Sequence, residues 1–384
     1  PRSEAAQVTR IVVATIALSL ASGACSGSRA ELDPTTAPNP GSIPKVSSAP
    51  AGKLPEGVKP TSYQLSLRIV PEEDTFSGAA VIGIELGAPS REIWMHGQDL
   101  EVTSIHAMHG TTRIEASWSQ KTADGVALVE LAEPLPAGRS TLHIDYAAGF
   151  DTPLRGLYRV RSGGNAYAFT QFESISARLA FPCFDEPRFK TPFEVTLTVP
   201  KDHVAAANTP IDRTIPLPDG LQRVSFKPTP PISTYLVALT VGPLDVVIGA
   251  TMKPSATRLY PVPLRGLAAN GRGEHLRYAL DRTEPQVLAL EDYFGVPYPY
   301  RKLDLVAVPD FAAGAMENVG LITFREWLLL LDEKRATENQ RRAFAYVLAH
   351  ELAHQWFGNL VTMPWWDDIW LNEAFATWMG SKVV

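Results

Sequence analysis

From residue 56 to about residue 250, apolar side chains recur at every second position. Tyr63, Leu65, Leu67 and Ile69 alternate with polar residues, as do Leu142, Ile144 and Tyr146, and Phe193, Val195, Leu197 and Val199. An extended chain sends successive side chains to opposite faces, so this pattern specifies strands with one face buried. Turn-forming residues break the runs at Asp74, Gly110, Asp124-Gly125 and Pro200-Lys201-Asp202. The stretch reads as antiparallel strands in a β-sandwich or saddle. Beyond about residue 251 the period lengthens. Helical patterns over 271–294 and 337–357 flank a short β region from Leu303 to Thr323, and no internal repeat is present. The fold class is therefore α+β, with an N-terminal β domain over 56–250 followed by a second domain over 251–384.

Composition removes several alternatives. A chain of 384 residues with 45% hydrophobic and 20% charged residues is neither disordered nor a coiled coil. Its net charge is −6 and it has no basic block, which excludes nucleic acid as a partner. Two cysteines cannot make a disulfide scaffold. At the start, Arg2 and Arg10 precede an apolar run, Ile11 to Leu20, and then Ala21-Ser22-Gly23-Ala24 before Cys25. This reads as a secretory signal over 1–25, because a membrane-spanning helix needs about 20 apolar residues. Small residues ahead of a Cys resemble the bacterial lipoprotein box, although Ser22 stands where that box has Leu. Lipidation at Cys25 is the expectation, giving an exported protein in the periplasm or cell envelope with a membrane anchor. Residues 26–55, rich in Pro, Ser, Ala and Gly, read as a flexible linker.

The helix predicted over 337–357 is signposted at both ends. Thr337 and Gln340 form a capping box, and Gly358 offers a stop. It carries His350-Glu351-Leu352-Ala353-His354. Imidazoles at i and i+4 share a helix face, where both can reach one ion about 2.0–2.1 Å away. Catalytic zinc takes three protein ligands and keeps a position open for water. Glu373, on a helix starting near Asp368 to Trp370, can supply the third ligand if the intervening loop returns that helix against the first. The bland alternative is a histidine pair satisfied by backbone or carboxylate groups.

Three separated motifs resemble one family, the zinc aminopeptidases of the gluzincin clan typified by aminopeptidase N. HELAH (350–354) is followed by eighteen residues and then Glu373 within Leu371-Asn372-Glu373-Ala374-Phe375-Ala376. Gly314-Ala315-Met316-Glu317-Asn318 is similar to the family's exopeptidase motif. Thr170-Gln171-Phe172-Glu173, with Pro182-Cys183-Phe184-Asp185-Glu186-Pro187, is similar to its β-domain signature. The resemblance covers roughly residues 56–384 and implies that 251–384 is the first part of a thermolysin-like zinc peptidase domain. It further implies one Zn2+ held by His350, His354 and Glu373, with Glu351 as general base. Gln171, Glu173, Gly314, Ala315, Met316, Glu317 and Asn318 would bind peptides with a free N-terminus, Glu317 taking the α-ammonium. Family members also contribute an oxyanion-stabilising tyrosine from beyond the third ligand, and this sequence stops at Val384. The chain thus reads as the front part of an aminopeptidase, truncated and crippled in catalysis as it stands. Val319 follows the exopeptidase motif where many relatives carry an aromatic. The alternatives are an epoxide-hydrolysing relative using the same metal, which Gln171 and Gly314-Ala315 match less well, and a noncatalytic exported β-rich module that binds peptides.

Overall fold

In the computed structural model, residues 48–384 are described, and all of them belong to one compact unit. The expected signal over 1–25, the lipidation at Cys25 and the linker up to residue 47 lie outside the described residues. The described end of that linker is anchored: Leu54 is buried, its N–H donates to Glu186 Oε1, and its carbonyl accepts from Arg188. The linker therefore ends before residue 54, because an apolar side chain there finds a core pocket.

The alternating stretch forms a ten-stranded sheet and a four-stranded sheet. Strand Val58–Arg68 buries Tyr63, Leu65 and Leu67 and pairs antiparallel with Thr75–Leu86. On its other side it runs parallel to Phe193–Pro200, so the expected all-antiparallel sheet contains one parallel pair. A long crossover joins those two strands, which local alternation cannot reveal. In the four-stranded sheet, Gly156–Ser162 and Asn165–Gln171 form a hairpin turning on Gly163 and Gly164. Both glycines have positive φ, 59° and 83°, as a tight two-residue turn requires.

The second half opens on a five-stranded sheet. Leu264–Ala269, Leu303–Val308 and Leu321–Arg325 are its parallel centre, and all six residues of Leu303–Val308 are buried. Leu244–Ile248 pairs antiparallel at one edge, so this sheet begins ahead of the expected junction at 251. At the other edge lies the short strand Ala315–Met316, antiparallel to Leu321–Arg325. Among the described residues there are four α-helices: α1 (Arg277–Phe294), α2 (Glu326–Leu329), α3 (Glu338–His354) and α4 (Ile369–Val383). Tyr278 of α1 meets Phe344 of α3 edge to face at 5.4 Å.

Direct bonds join the halves. Buried Asn208 donates to the carbonyls of Leu236 and Val319 and accepts from the Ala238 N–H. Gly320 has φ +65°, and a Cβ there would sit 2.4 Å from the Asn208 carbonyl oxygen, so only glycine allows this approach. Lys190 donates to the carbonyls of Asn359 and Leu360, at 2.8 and 2.9 Å.

Candidate metal centre

The expected capping box is present on α3: the Thr337 hydroxyl accepts from the Gln340 N–H, and the Gln340 side chain accepts from the Thr337 N–H. The helix ends at His354 rather than at residue 357. Its last carbonyls are taken by tightened turns: the N–H groups of Trp356 and Phe357 both bond to Ala353. The shortening follows from His354, whose Nδ1 lies 3.0 Å from the Phe357 carbonyl oxygen and holds the chain close as it leaves the helix. Gly358, at φ +122°, then passes near that ring, where a Cβ would lie 3.2 Å from Nδ1.

Helix α4 starts where expected, after Asp368, and places Glu373 just past its first turn. It lies close against α3, and a Cβ on Gly380 would approach the Tyr346 carbonyl oxygen to 3.3 Å. This brings the expected ligands together. His350 Nε2 and His354 Nε2 are 3.0 Å apart, and the Glu373 oxygens lie 3.4 Å from the first and 3.5 Å from the second. Because His354 Nδ1 faces a carbonyl, that nitrogen carries the proton and Nε2 presents its lone pair to the cluster. Burial, reinforced by His350, pushes His354 down to about 4, so its imidazole is neutral at pH 7. Burial raises the Glu373 carboxyl, but its bond to His350 and the two imidazoles hold it below the ordinary value, as an anion.

A second group shares Glu373. Carboxylate oxygens of Glu173, Glu317 and Glu373 all lie within 4.8 Å of one another. Glu317 is 3% exposed and its Oε1 has no hydrogen-bond partner. Its carboxyl is pushed far up, first by burial and then by Glu173, Glu351 and Glu373. Burial and then Glu373 raise Glu173 to about 7. Glu351, buried on α3, is raised by burial and then by Glu373 and Glu173. A pocket with Glu317 and Glu351 buried and Glu173 and Glu373 half-buried beside them attracts cations and has an unusually high proton affinity.

The remaining expected residues lie on or beside strands of the two halves. Gln171 ends its strand, donates to Met316 Sδ at 3.4 Å, and leaves its buried Oε1 without a partner. Glu173 lies beyond the strand's end, so its position comes from the turn after Gln171 and not from alternation along a strand. Gly314 is exposed, its carbonyl accepting from the Arg325 N–H, and Ala315 is half-buried on the edge strand. Asn318 is buried, donating to the Thr323 hydroxyl. Four further residues support the site without any local sequence signal for that role. Gln355 and Asn359 both donate to the Glu317 carbonyl, Tyr235 donates to the Gly358 carbonyl, and Lys190 holds the Asn359 loop. By contrast Asp185, paired with Arg178 at 3.0 Å, and Glu186, bonded to Arg188 and Leu54, are structural. Cys183 is fully buried, and burial raises its thiol well above the ordinary value, so it is not a nucleophile. Trp366 meets Tyr235 edge to face at 5.3 Å, whereas Trp370 is exposed.

A β domain leading into an α/β half, with two imidazoles and a carboxylate converging between its last two helices, is the layout of a metallopeptidase. The model for the Peptidase M1 N-terminal domain matches residues 59–236, and that for the Peptidase family M1 domain matches residues 278–384. The chain belongs to peptidase family M1 and corresponds to the N-terminal portion of an aminopeptidase N-like gluzincin. It is similar to Aminopeptidase M1-B of Oryza sativa subsp. japonica, 39% identical over 337 residues that cover 86% of this chain and 37% of that protein. Aminopeptidase M1 of Arabidopsis thaliana is 38% identical over 337 residues, covering 85% and 37%. Endoplasmic reticulum aminopeptidase 1 of Mus musculus is 37% identical over 337 residues, covering 85% and 36%. The chain spans little more than a third of the length of these relatives.

Proposed function

We propose that this chain forms the metal-binding and substrate-capturing part of a zinc metallo-aminopeptidase, which removes N-terminal residues from peptides. The observation that carries the reading is the sharing of Glu373 between the His350–His354 cluster and the carboxylate cluster with Glu173 and Glu317. The first cluster fits zinc. Two imidazole nitrogens and one carboxylate are its usual catalytic donor set, and they already lie within reach of a single ion. When bound there, zinc polarises the scissile carbonyl and lowers the pKa of its water towards about 7.

The rest is the work of this chain's own side chains. Glu351 is a carboxylate made more basic by burial, so it can take a proton from water and pass it to the leaving amine. Glu317 and Gln171 each present a buried acceptor left without a protein partner, and Glu173 adds a carboxylate beside Glu317, together the complement of a peptide's α-ammonium group. A blocked or internal amide would leave those acceptors unpaired, which costs roughly 1–3 kcal/mol for each buried group. Met316 Sδ sits over Gln171 and forms part of the same wall. Asn318 and the donors on the Glu317 carbonyl keep that backbone in place. Strand Ala315–Met316 is the last in its sheet, so Gly314 and Ala315 can pair with an extended peptide as an added strand. The names of the relatives, aminopeptidases all, support the same activity. Export and anchoring at Cys25 belong to this reading on the strength of the leader sequence.

The test, made on a chain spanning the full length of the relatives, is hydrolysis of aminoacyl arylamides and their N-acetylated counterparts. Activity on the free-amine substrates alone, lost in Glu317→Ala, is expected; equal turnover of acetylated substrates would replace the reading with an endopeptidase.

A further inference from the structure

Away from the metal centre, three adjacent strands of the ten-stranded sheet carry a second set of metal-ligating side chains. Strand Glu101–His109 lies between Thr112–Gln120 and Gly138–Gly149. Its His106 stands directly opposite Glu115 on one side and His143 on the other. Residues opposed in this way project from the same face. Ile105, Ala107, Leu142 and Ile144 are buried, so the face bearing His106 and His143 turns away from the core.

The imidazoles of His106 and His143 stack with centroids 4.7 Å apart and planes at 12°. His350 and His354 have a similar centroid spacing, 4.6 Å, but meet edge to face at 81°. Two ring nitrogens sharing one zinc, each about 2.0–2.1 Å from it, need to come within about 4.2 Å of one another. In near-parallel rings the in-plane lone pairs do not converge, so one ring has to turn out of the stack for both nitrogens to face one ion. His106 Nδ1 is buried and has no hydrogen-bond partner. His143 Nε2 lies 2.9 Å from the Thr141 hydroxyl, an outer contact that would hold the ring while Nδ1 binds. The His106 imidazole is held below its ordinary value by burial, and further by Arg113 and His143, so it is uncharged at neutral pH. Exposed Glu115 is bonded to Arg113 at 2.6 Å.

We propose that His106 and His143, with Glu115 exchanging Arg113 for the ion, form a second divalent-metal site on the β domain, separate from the HELAH helix. Its donors are those preferred by borderline ions such as Zn2+ and Ni2+. A bound ion would tie three strands together and stabilise the β domain by mass action.

Calorimetric titration of the metal-free chain with Zn2+ tests this. Two classes of site are expected in the wild type. His106→Asn and His143→Asn should each remove the weaker class and leave the tighter one, whose retention, with an unchanged far-UV spectrum, shows that the variants fold. Glu115→Gln should weaken the second class, and Arg113→Ala should tighten it by releasing Glu115, an effect a purely structural pair would not show. His350→Asn should remove the tighter class alone, which keeps failure of either site distinct. A wild type with no second class overturns the proposal. So does a second class that survives in the His106→Asn/His143→Asn variant, which would make the stack a cross-strand contact and nothing more.

Discussion

Glu351 and Glu317 differ in what their removal should cost. Glu351 is not among the three converging ligand residues, so in a chain spanning the full length of the relatives Glu351→Gln should keep zinc at the wild-type stoichiometry while hydrolysis of aminoacyl arylamides falls by roughly 10²–10⁴. Undiminished turnover would remove the base assignment. Glu173 supplies a pH signature. Its carboxyl, raised to about 7, keeps a proton in the folded state that the unfolded state releases near its ordinary value of 4.5. Folding therefore loses stability from this group as pH rises from about 4.5 through 7, and the loss is complete above 7. Glutamine cannot ionise. In metal-free protein, the melting temperature of Glu173→Gln relative to wild type should climb between pH 5 and pH 8; a pH-independent difference would place Glu173 outside the buried cluster.

Helices α3 and α4 were largely legible in the sequence, because helix caps and i, i+4 spacing are local. Thr337, Gln340, His350 and His354 could be placed on one helix from their spacing alone. Replacing Thr337 by Ala should cost about 1 kcal/mol in urea unfolding through the lost cap. The close helix crossing was not legible. It depends on Gly380, and the exit from α3 depends on Gly358 beside the His354 ring, contacts that appear only once the helices meet. Gly358→Ala should strain a backbone at φ +122° and weaken zinc binding more than overall stability; unaltered affinity would show that the His354–Phe357 contact does not orient the ring. For the strands the limit was different. Period two identifies Leu244–Ile248 as extended, but not which sheet it joins, and the parallel pairing of Val58–Arg68 with Phe193–Pro200 is a long-range choice. Gln171 was legible as a strand residue, whereas Glu173 reaches its pocket through a turn.

At the scale of the whole molecule, the pocket is assembled from both halves: Gln171 and Glu173 come from the β domain, and Glu317, Glu351 and Glu373 from the peptidase half. Asn208, Lys190 and Tyr235 reach across between them. Asn208→Ala would leave buried partners at Leu236, Ala238 and Val319 unsatisfied and should destabilise the protein by about 3 kcal/mol, measured by denaturant unfolding. A loss well below 1 kcal/mol would mean that the halves are held together elsewhere. Through these ties the β domain fixes the geometry in which acidic side chains face His350 and His354. Anomalous diffraction at the zinc edge, from crystals of the zinc-loaded chain, addresses that geometry most directly. The strongest peak should fall between His350 Nε2, His354 Nε2 and a Glu373 oxygen, beside Glu317. A strongest peak away from Glu373, or none on the HELAH helix, would contradict the account.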